Sequence, residues 1–329
     1  MGAAKSCPKL LVVVGMIGAL LFSFPSRAPG QAYPSKPITI YCGYEAGATT
    51  DVTARALADG ASKLLGVPIV VENKPGGSAT LCAGLLASKK PDGYTLGLTD
   101  TRVIVARPHL LKVAYNPWED FTWILQFSRY IAALCVLSDS PLKTIDEFIA
   151  FAKAHPGLSY GSPGMHSGGH LSTEVLARCR GLKFKHVPFK GGAPANTALL
   201  GRHLDFVGGV GQHMQYVKQG VFRMLVLYQT DERDPNFPVV PTLKELGCQD
   251  FPATGYLLMA PKGLPGPVYE KLAMAFRKTT EGPDFQKLLK QLEIPYDFKD
   301  RFQLEKDLPK ESELYKNFLK EIETEKKDI

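Results

Sequence analysis

The sequence predicts an α/β protein made of two doubly wound lobes with a ligand cleft between them. Strand-like runs alternate with helical patterns of roughly ten to fifteen residues, which is typical of βαβ units and a mostly parallel sheet. The 297 residues that follow an N-terminal apolar segment are too many for a single small core. No internal repeat or low-complexity linker interrupts them. The chain is therefore expected to cross between two lobes rather than to form two beads on a string.

Each element is predicted from its own spacing of apolar residues. Strands are expected at residues 37–43, 67–71, 94–98, 132–137, 159–160, 185–188, 223–228 and 256–259. Helices are expected at residues 51–65, 81–88, 145–154, 170–180 and 194–200, and from residue 267 onward as an amphipathic tail. The first helix has Val52, Ala56, Leu57 and Leu64 at helical spacing and ends at Gly66.

The first 32 residues have the pattern of an export signal. Lys5 precedes an apolar run over residues 10–24, and Gly30 and Ala32 place small residues where a signal peptidase acts. Cleavage is expected before Tyr33, and the mature protein is expected in the periplasm. The alternative is a non-cleaved anchor, but the apolar run is short for a bilayer span.

The amino-acid composition limits the classes of function that the protein can have. Hydrophobic residues make up 45% of the chain and charged residues 22%, as in ordinary soluble globular proteins. The formal net charge of +7 falls to +4 once Lys5, Lys9 and Arg27 leave with the signal. The basic residues are scattered and not interleaved with aromatic ones, which disfavours binding to nucleic acid. A mild positive charge helps to attract an anionic ligand.

The cysteines indicate no dense disulfide scaffold and no CxxC metal site. Five remain after the signal is removed, at positions 42, 82, 135, 179 and 248. Cys42 and Cys135 lie in apolar strand-like runs and are expected to be buried as small hydrophobic residues. One disulfide is compatible with an oxidising compartment, and the sequence leaves its pair open.

Three glycine-rich loops each connect a predicted strand to a predicted helix, at residues 43–51, 161–170 and 190–194. Glycine lets the backbone approach a ligand, and the following helix offers free N–H groups and a partial positive charge to an anion. Thr49, Thr50 or Asp51 is expected to cap the first helix. Lys190 in the third loop offers a countercharge. Any one glycine loop is compatible with a tight turn, whereas three at equivalent places favour a ligand site.

Catalysis, metal binding and a nucleotide cofactor are disfavoured. His166 and His170 stand four residues apart, but no Glu follows the first and two glycines intervene, so a metal site is not expected. Ser162 lacks the GxSxG pattern of a hydrolase, and it is expected to bond a ligand oxygen while His170 packs or caps its helix. Asp51 stands where a structural cap is expected rather than a general base. No loop matches a Walker or GxGxxG motif, so no cofactor is expected.

Eight short blocks along the mature chain resemble, in order, the tripartite tricarboxylate transporter substrate-binding proteins, the Bug family of periplasmic receptors. The blocks are residues 33–38 with the loop ending at 51, 70–77, 91–96, 160–164, 170–174, 187–191, 241–247 and 260–265. The resemblance implies a type II periplasmic-binding-protein fold. One lobe would hold residues 33–130 plus 253–329 and the other residues 131–252, with a hinge that closes the cleft on the ligand.

The resemblance also implies which residues grip a ligand carboxylate, through backbone N–H groups, hydroxyls and ordered waters. On the first loop these are Tyr44, Ala48, Thr49, Thr50 and Asp51, and on the second they are Ser162, His166, Ser167 and Gly168. Thr99 and Asp100 would form a wall of the cleft.

The first loop departs from the family pattern. Members usually carry Pro where this chain has Gly43, and a glycine pair where it has Gly47 and Ala48. The N–H of Ala48 is expected to stay available to an anion. Glu45 adds an acid near the site. If it faces the ligand, we expect a ligand that also carries a cationic or hydrogen-bond-donating group, such as an amino acid or a nicotinate-like molecule, and if it points outward nothing follows.

The resemblance therefore implies a non-catalytic, monomeric receptor without a cofactor, which delivers a small organic acid to separate membrane subunits of a tripartite tricarboxylate-type transporter. One alternative is a ligand sensor for a signalling partner. The others are an α/β enzyme acting on a small carboxylate in the same cleft, and an adhesion or scaffold protein with an empty cleft.

Overall fold

The structure is a computed structural model that describes residues 1–2, 33–211, 213–230, 232–249 and 251–325. The expected signal segment and the residues before its cleavage point lie outside this part of the chain, apart from residues 1–2. The chain from Pro34 onward forms one unit. None of the helices in the described ranges is both long enough and apolar enough to cross a membrane.

The described residues form eleven strands and eleven α-helices. The strands are β1 (Ile38–Cys42), β2 (Ile69–Asn73), β3 (Thr95–Asp100), β4 (Phe121–Arg129), β5 (Ala132–Leu137), β6 (Leu158–Ser162), β7 (Phe184–Pro188), β8 (Phe206–Val210), β9 (Phe222–Tyr228), β10 (Gly255–Pro261) and β11 (Tyr296–Lys299). The helices are α1 (Thr49–Leu65), α2 (Thr80–Ala87), α3 (Arg102–Val105), α4 (Arg107–Leu110), α5 (Ile145–Ala154), α6 (Gly168–Arg180), α7 (Gly192–Leu200), α8 (His213–Lys218), α9 (Gly266–Glu281), α10 (Pro283–Leu292) and α11 (Arg301–Glu325).

The strands form two sheets, which confirms the α/β fold class. One sheet has the order β11-β4-β10-β3-β1-β2 and the other the order β7-β6-β8-β5-β9. The pairs β1–β2, β1–β3, β6–β7 and β6–β8 are parallel, and the remaining pairs are antiparallel. The sheets are therefore mixed, and the expectation of a mostly parallel sheet holds only for the half of each sheet that carries the loop-to-helix connections.

The strands β4, β8 and β11 were not predicted, for identifiable reasons. Strand β4 is buried at eight of its nine positions, so it lacks the alternation that marks a half-exposed strand. Strand β8 contains Gly208 and Gly209, which read locally as a turn. Strand β11 interrupts the tail that was expected to be helical throughout.

Helix α1 buries a different face from the one expected. Ala54, Leu57, Ala61 and Leu65 are buried, whereas Leu64 is exposed. Leu57 belongs to both the predicted and the observed face, and small alanines form much of the rest of the observed one. The core accepts alanine here because α1 packs closely against its neighbours, and a pattern based on large apolar residues misses such a face.

Two segments join the sheets and are bonded to each other. The N–H of Tyr130, between β4 and β5, donates to the carbonyl of Thr254, just before β10 (2.9 Å). Gly255 in turn accepts from Thr101 (2.9 Å) and donates to its hydroxyl (3.0 Å). The two crossings therefore form one hydrogen-bonded strip beside the end of β3.

One disulfide forms, between Cys179 near the end of α6 and Cys248 in the segment between β9 and β10. Cys42, Cys82 and Cys135 are free and buried. Burial raises the pKa of the Cys42 thiol to about 12, so it stays protonated and packs as an apolar group. The sequence alone left the pair open because Cys179 and Cys248 lie 69 residues apart.

Candidate functional site

The parallel strands β1, β2 and β3 end at one edge of the first sheet, and their last residues surround the loop at residues 43–48. Asn73 ends β2 and Asp100 ends β3. The amide Nδ2 of Asn73 donates to the carbonyl of Tyr44 (2.9 Å), and the hydroxyl of Tyr44 donates to the carboxylate of Asp100. The loop is therefore bonded on both sides by residues from neighbouring strands.

Asp51 holds this loop through its carboxylate, which is 3% exposed as a residue. It accepts hydrogen bonds from the N–H of Gly47 (2.9 Å) and from Nδ2 of Asn73 (2.8 Å), and it forms an ion pair with Arg55 (2.9 Å). Burial alone would raise the pKa of Asp51, but the bonds from Arg55, Gly47 and Asn73 outweigh it and lower that pKa. The carboxylate is thus ionised and committed to the loop, which places Asp51 as a structural residue.

Helix α1 begins without a side-chain cap. Its N-cap residue is Ala48, in an extended conformation (φ −64°, ψ 155°), so neither Thr49 nor Thr50 nor Asp51 is the cap that the sequence predicted. The N–H of Ala48 donates to the carbonyl of Glu45 (3.1 Å) and is not available as expected. Within the described chain, the N–H groups of Thr49, Thr50 and Asp51 have no acceptor. Free N–H groups at the start of a helix, together with the helix dipole, favour an anion, so these three donors make the start of α1 a candidate anion site.

The remaining predicted residues of this region occupy different environments. Glu45 is exposed, and the expectation of a ligand with a cationic group if Glu45 faces it stays a prediction. Thr99 is fully buried and its hydroxyl donates to the carbonyl of Asp100 (3.4 Å). Thr50 is buried, with its hydroxyl 3.1 Å from that of Tyr130, while Thr49 is partly exposed.

Ser162 ends β6 and is bonded inside its own loop. Its hydroxyl lies 2.7 Å from Nε2 of His186 and donates to the carbonyl of Gly164 (2.9 Å). The residue is fully buried. In this structure Ser162 therefore fixes the turn at residues 163–167, and it does not present its hydroxyl to a ligand as the sequence suggested.

His186 supports that turn as a neutral ring. It stacks between Tyr160 (ring centroids 4.8 Å apart) and His170 (4.1 Å). Burial and the neighbouring His166 lower its pKa to about 4. The Ser162–His186 contact is that of a serine–histidine pair, but His186 Nδ1 has no carboxylate partner in the described residues, and the hydroxyl of Ser162 donates elsewhere. The pair is therefore structural in this arrangement.

Helix α6 starts at Gly168, two residues earlier than predicted. Ser167 is its N-cap, and its hydroxyl accepts from the N–H of His170 (3.3 Å). The N–H groups of Gly168 and Gly169 have no acceptor among the described residues. His166 precedes the cap with a positive φ of 57°, and its N–H donates to Nδ1 of His170 (3.1 Å). The helix thus presents two free donors where the sequence placed a ligand loop.

The third loop is tied to the second. The N–H of Gly191 donates to the carbonyl of Pro163 (3.2 Å), and that of Phe189 donates to the carbonyl of Ser162 (3.1 Å). Gly191 has a φ of 110°, which an L side chain rarely adopts. Lys190 is exposed at the tip of this loop.

A chain of contacts links the two helix ends through the strip that joins the sheets. The hydroxyl of Thr50 bonds Tyr130, the N–H of Tyr130 bonds Thr254, and the hydroxyl of Thr254 donates to Oε1 of Gln229 (3.4 Å). A Cβ added at Gly168 would lie 2.7 Å from Nε2 of Gln229, so Gln229 fills the space beside the start of α6. The two donor sets are therefore connected, not independent.

The supporting residues Asn73, Tyr130, His186 and Gln229 were not predicted from the sequence. Asn73 lies in the family block at residues 70–77, and His186 lies in the predicted strand at residues 185–188. Their positions near strand ends could have identified them as residues close to the loops. Tyr130 and Gln229 act through the joining strip, and no local pattern marks such residues. Within the described residues, no group of three or more His, Cys, Asp or Glu side chains is placed to hold a metal ion.

Known proteins share this architecture. A family model described as the tripartite tricarboxylate transporter family receptor matches residues 53–323. The UPF0065 protein in the gbd 5′ region of Cupriavidus necator is 40% identical over 278 residues, or 84% of each chain. A TctC solute binding protein from Polaromonas is 30% identical with a TM-score of 0.77, covering 88% of this chain and 99% of that chain. MatC from Rhodopseudomonas palustris, solved with bound malate, is 27% identical with a TM-score of 0.71, covering 87% and 99%.

Proposed function

The chain belongs to the tripartite tricarboxylate transporter receptor family, and on that basis we propose that it captures a small carboxylate in the periplasm and delivers it to the membrane subunits of a transporter. This agrees with the resemblance recognised in the sequence. The protein acts as a monomeric receptor after export, and the membrane subunits are separate chains. Delivery to a signalling partner is the second role compatible with the same capture step.

The observation that carries the proposal is the pair of open helix ends. Helix α1 presents the N–H groups of Thr49, Thr50 and Asp51, and α6 presents those of Gly168 and Gly169, all without acceptors in the described chain. Backbone donors at a helix start, together with the helix dipole, favour an anion. MatC, which is 27% identical to this chain, binds malate, a small carboxylate.

Capture proceeds by closure of two lobes, residues 33–130 plus 253–329 and residues 131–252. The hinge is the strip that contains Tyr130 and Thr254, because both crossings between the sheets pass through it. A ligand that engages α1 and α6 together stabilises the closed form, since it gains contacts in that form that the open form lacks. Tyr44, Thr49 and His166 lie on the loops that border the ligand.

The receptor acts without chemical turnover. The serine–histidine pair of Ser162 and His186 lacks an acidic third member within the described residues, and Asp51 is bound to Arg55 and Asn73. Neither group is free to act as a general base. The bound ligand is therefore released unchanged.

Thr49→Pro, with Thr49→Ala as its matched control, tests the role of the α1 donors. Proline is tolerated at the first position of a helix, and the extended Ala48 has the conformation that a residue before proline prefers. Proline thus removes one N–H donor while the helix is kept, and alanine removes only the side chain. Thermal unfolding is measured against di- and tricarboxylates, aromatic carboxylates and amino acids.

A carboxylate that raises the wild-type midpoint and is recovered intact would support the receptor. Thr49→Pro is expected to weaken its affinity about tenfold or more, since a hydrogen bond to a charged group is lost, while Thr49→Ala changes little. A wild-type midpoint that no carboxylate moves would refute carboxylate capture. Equal affinities for the proline and alanine variants would show that the N–H of Thr49 does not bind the ligand. Chemical conversion of the ligand would show that the protein is an enzyme.

A further inference from the structure

Two arginines lie directly after β3, and both are nearly buried. Arg102 begins α3 and Arg107 begins α4, and each is 9% exposed. The nearest acid is Asp100, the last residue of β3, which is fully buried. Apart from the bond between Tyr44 and Asp100, none of these three side chains bonds to the loops before α1 and α6.

Asp100 is shared between Tyr44 and Arg102. Its Oδ1 accepts from the backbone N–H of Arg102 (2.9 Å), and the guanidinium of Arg102 lies 3.5 Å from both carboxylate oxygens. The hydroxyl of Tyr44 donates to Oδ2. One negative charge therefore balances Arg102, although the contact is long, and the buried Nε of Arg102 has no hydrogen-bond acceptor.

Arg107 has no counterion. In the described chain its guanidinium forms no hydrogen bond or ion pair, and its Nε is buried without an acceptor. The charged groups that act most strongly on it are Arg102, which repels it, and Asp100, which Arg102 already occupies. Nearby Tyr115 donates its hydroxyl to the carbonyl of Val103 (2.5 Å), and burial raises its pKa, so it supplies no negative charge.

The cluster of Asp100, Arg102 and Arg107 therefore carries one surplus positive charge in a largely dehydrated position. An isolated buried charge is costly unless an opposite charge or a set of hydrogen bonds satisfies it. No described residue satisfies Arg107, so an anion from outside the chain is the group that this position fits best. Guanidinium groups bind carboxylates with two parallel hydrogen bonds, which makes a carboxylate a suitable partner.

The position of the cluster connects it to the open end of α1. Tyr44 belongs to the loop before α1 and is bonded to Asp100, and Thr50 of α1 is bonded to Tyr130. Tyr130 also lies close enough to Arg102 to act on its charge. Both arginines therefore follow the strand end that is bonded to the loop before α1, and Arg102 adjoins that loop through Asp100.

We propose that Arg102 and Arg107 form a second anion site, which receives the distal anionic group of a ligand whose first carboxylate is held at the α1 and α6 ends. The inference rests on the proposed function. It makes the receptor selective for ligands with two carboxylates, and it assigns that selectivity to Arg107.

The test compares dicarboxylates with monocarboxylates of the same chain length, by calorimetric titration of the purified protein with succinate and butyrate, glutarate and pentanoate, and adipate and hexanoate. The wild type is expected to bind at least one diacid about tenfold or more tightly than its matched monoacid, as the loss of a charged hydrogen bond predicts. Arg107→Met is expected to remove that preference and to leave the monoacid affinity within about twofold.

Three further variants serve as controls. Arg107→Lys keeps the charge without the planar fork and is expected to retain part of the preference. Arg107→Gln is a second uncharged variant in case methionine packs badly. Arg202→Met removes an exposed arginine that pairs with Asp139, and it is expected to change nothing. Thermal unfolding of each variant without ligand checks that it is folded.

The outcomes separate the two proposals. If the wild type binds carboxylates with no preference for diacids, or if Arg107→Met and Arg107→Gln keep the preference, the second anion site is wrong and carboxylate capture stands. An equal loss of affinity for diacids and monoacids would also overturn it, because Arg107 would then act on the whole site. If the wild type binds none of the six acids or the wider panel, carboxylate capture fails and the second site fails with it.

Discussion

The loops before α1 and α6 occupy equivalent places in the two sheets, but different interactions hold them. The first loop, residues 43–48, is fixed by an ionised carboxylate at Asp51 together with Arg55 and Asn73, all of which bond to the loop or to each other. Its helix begins without a side-chain cap and leaves three N–H donors open.

The second loop, residues 163–167, is fixed by neutral groups and close packing. His186 bonds Ser162, and α6 lies directly on β8 at Gly169. Here Ser167 caps the helix, and two donors stay open. The two helix starts with free N–H donors are therefore stabilised differently, the first by a charged network and the second by close packing. The two loops are expected to respond to different perturbations.

Gly169→Ala is expected to have the largest effect, because the second loop depends on shape. A Cβ at Gly169 would lie 1.9 Å from the carbonyl oxygen of Gly208, which is backbone and cannot move aside. We expect a loss of more than about 4 kcal/mol in the free energy of unfolding, or failure to fold. Urea unfolding and soluble yield are the measurements.

The control is Gly266→Ala in α9, where an added Cβ meets nothing within 4 Å. It is expected to be neutral or slightly stabilising, since alanine restricts the unfolded chain. A Gly169→Ala protein as stable as this control would show that α6 is free to move off β8, and that close packing does not define the second loop.

Asp51→Ala is expected to have the next largest effect, because the first loop depends on charge. The side chain of Asp51 is 4% exposed. Its removal leaves the N–H of Gly47 without its acceptor and Arg55 without its carboxylate partner, while Asn73 keeps only its bonds to Tyr44 and Arg55. We expect a loss of about 2–3 kcal/mol by urea unfolding.

Asp59→Ala is the matched control on the same helix. Asp59 pairs with Lys63 at the same four-residue spacing, but its side chain is 71% exposed. Its replacement is expected to change stability little, because exposed ion pairs are screened by water. Similar losses for the two variants would contradict the view that Asp51 acts through a buried network.

Acidification is expected to have the smallest effect on the free energy of unfolding. It distinguishes the two loops, because they lose stability at different pH values. The folded-state pKa of His186 is lowered to about 4 by burial and by His166, below its ordinary value of 6.5. Its contribution to stability is complete above pH 6.5 and is lost as the pH falls toward 4, amounting to about 1–2 kcal/mol after allowance for its partial exposure. Asp51, with a lowered pKa, keeps its contribution above its ordinary value of 3.8 and loses it only below that pH.

The variant His186→Gln measures how much of the loss of stability on acidification comes from the second loop. His213 is fully buried, and burial lowers its pKa to about 4, so it titrates in the same window and remains in the variant. Urea unfolding at pH 7.5 and pH 4.5, on wild type and variant, is expected to give the variant a smaller loss on acidification by about 1–2 kcal/mol. An identical loss in both proteins would mean that His186 does not couple the second loop to pH.

The local patterns located most elements and the two loops. Helix α5 begins and ends where predicted, because Thr144 and Glu147 form a capping box and the apolar residues repeat at helical spacing. Strand β4 was missed because burial on both faces removes alternation, and the interrupted tail was missed because β11 is defined by its partner β4. Pairing partners are remote in sequence and leave no local trace.

The sequence by itself determined the fold class, the strand-to-helix loops of the candidate site and the family resemblance, since these depend on local periodicity and short motifs. Only the tertiary structure decided which side chains serve the loops and which remain without a partner. Asp51 and Ser162 turned out to be committed within their loops, while Arg107 is buried without a counterion. The physical reason is that hydrogen bonding and charge balance depend on groups such as Asn73 and His186, which folding brings close from distant parts of the chain.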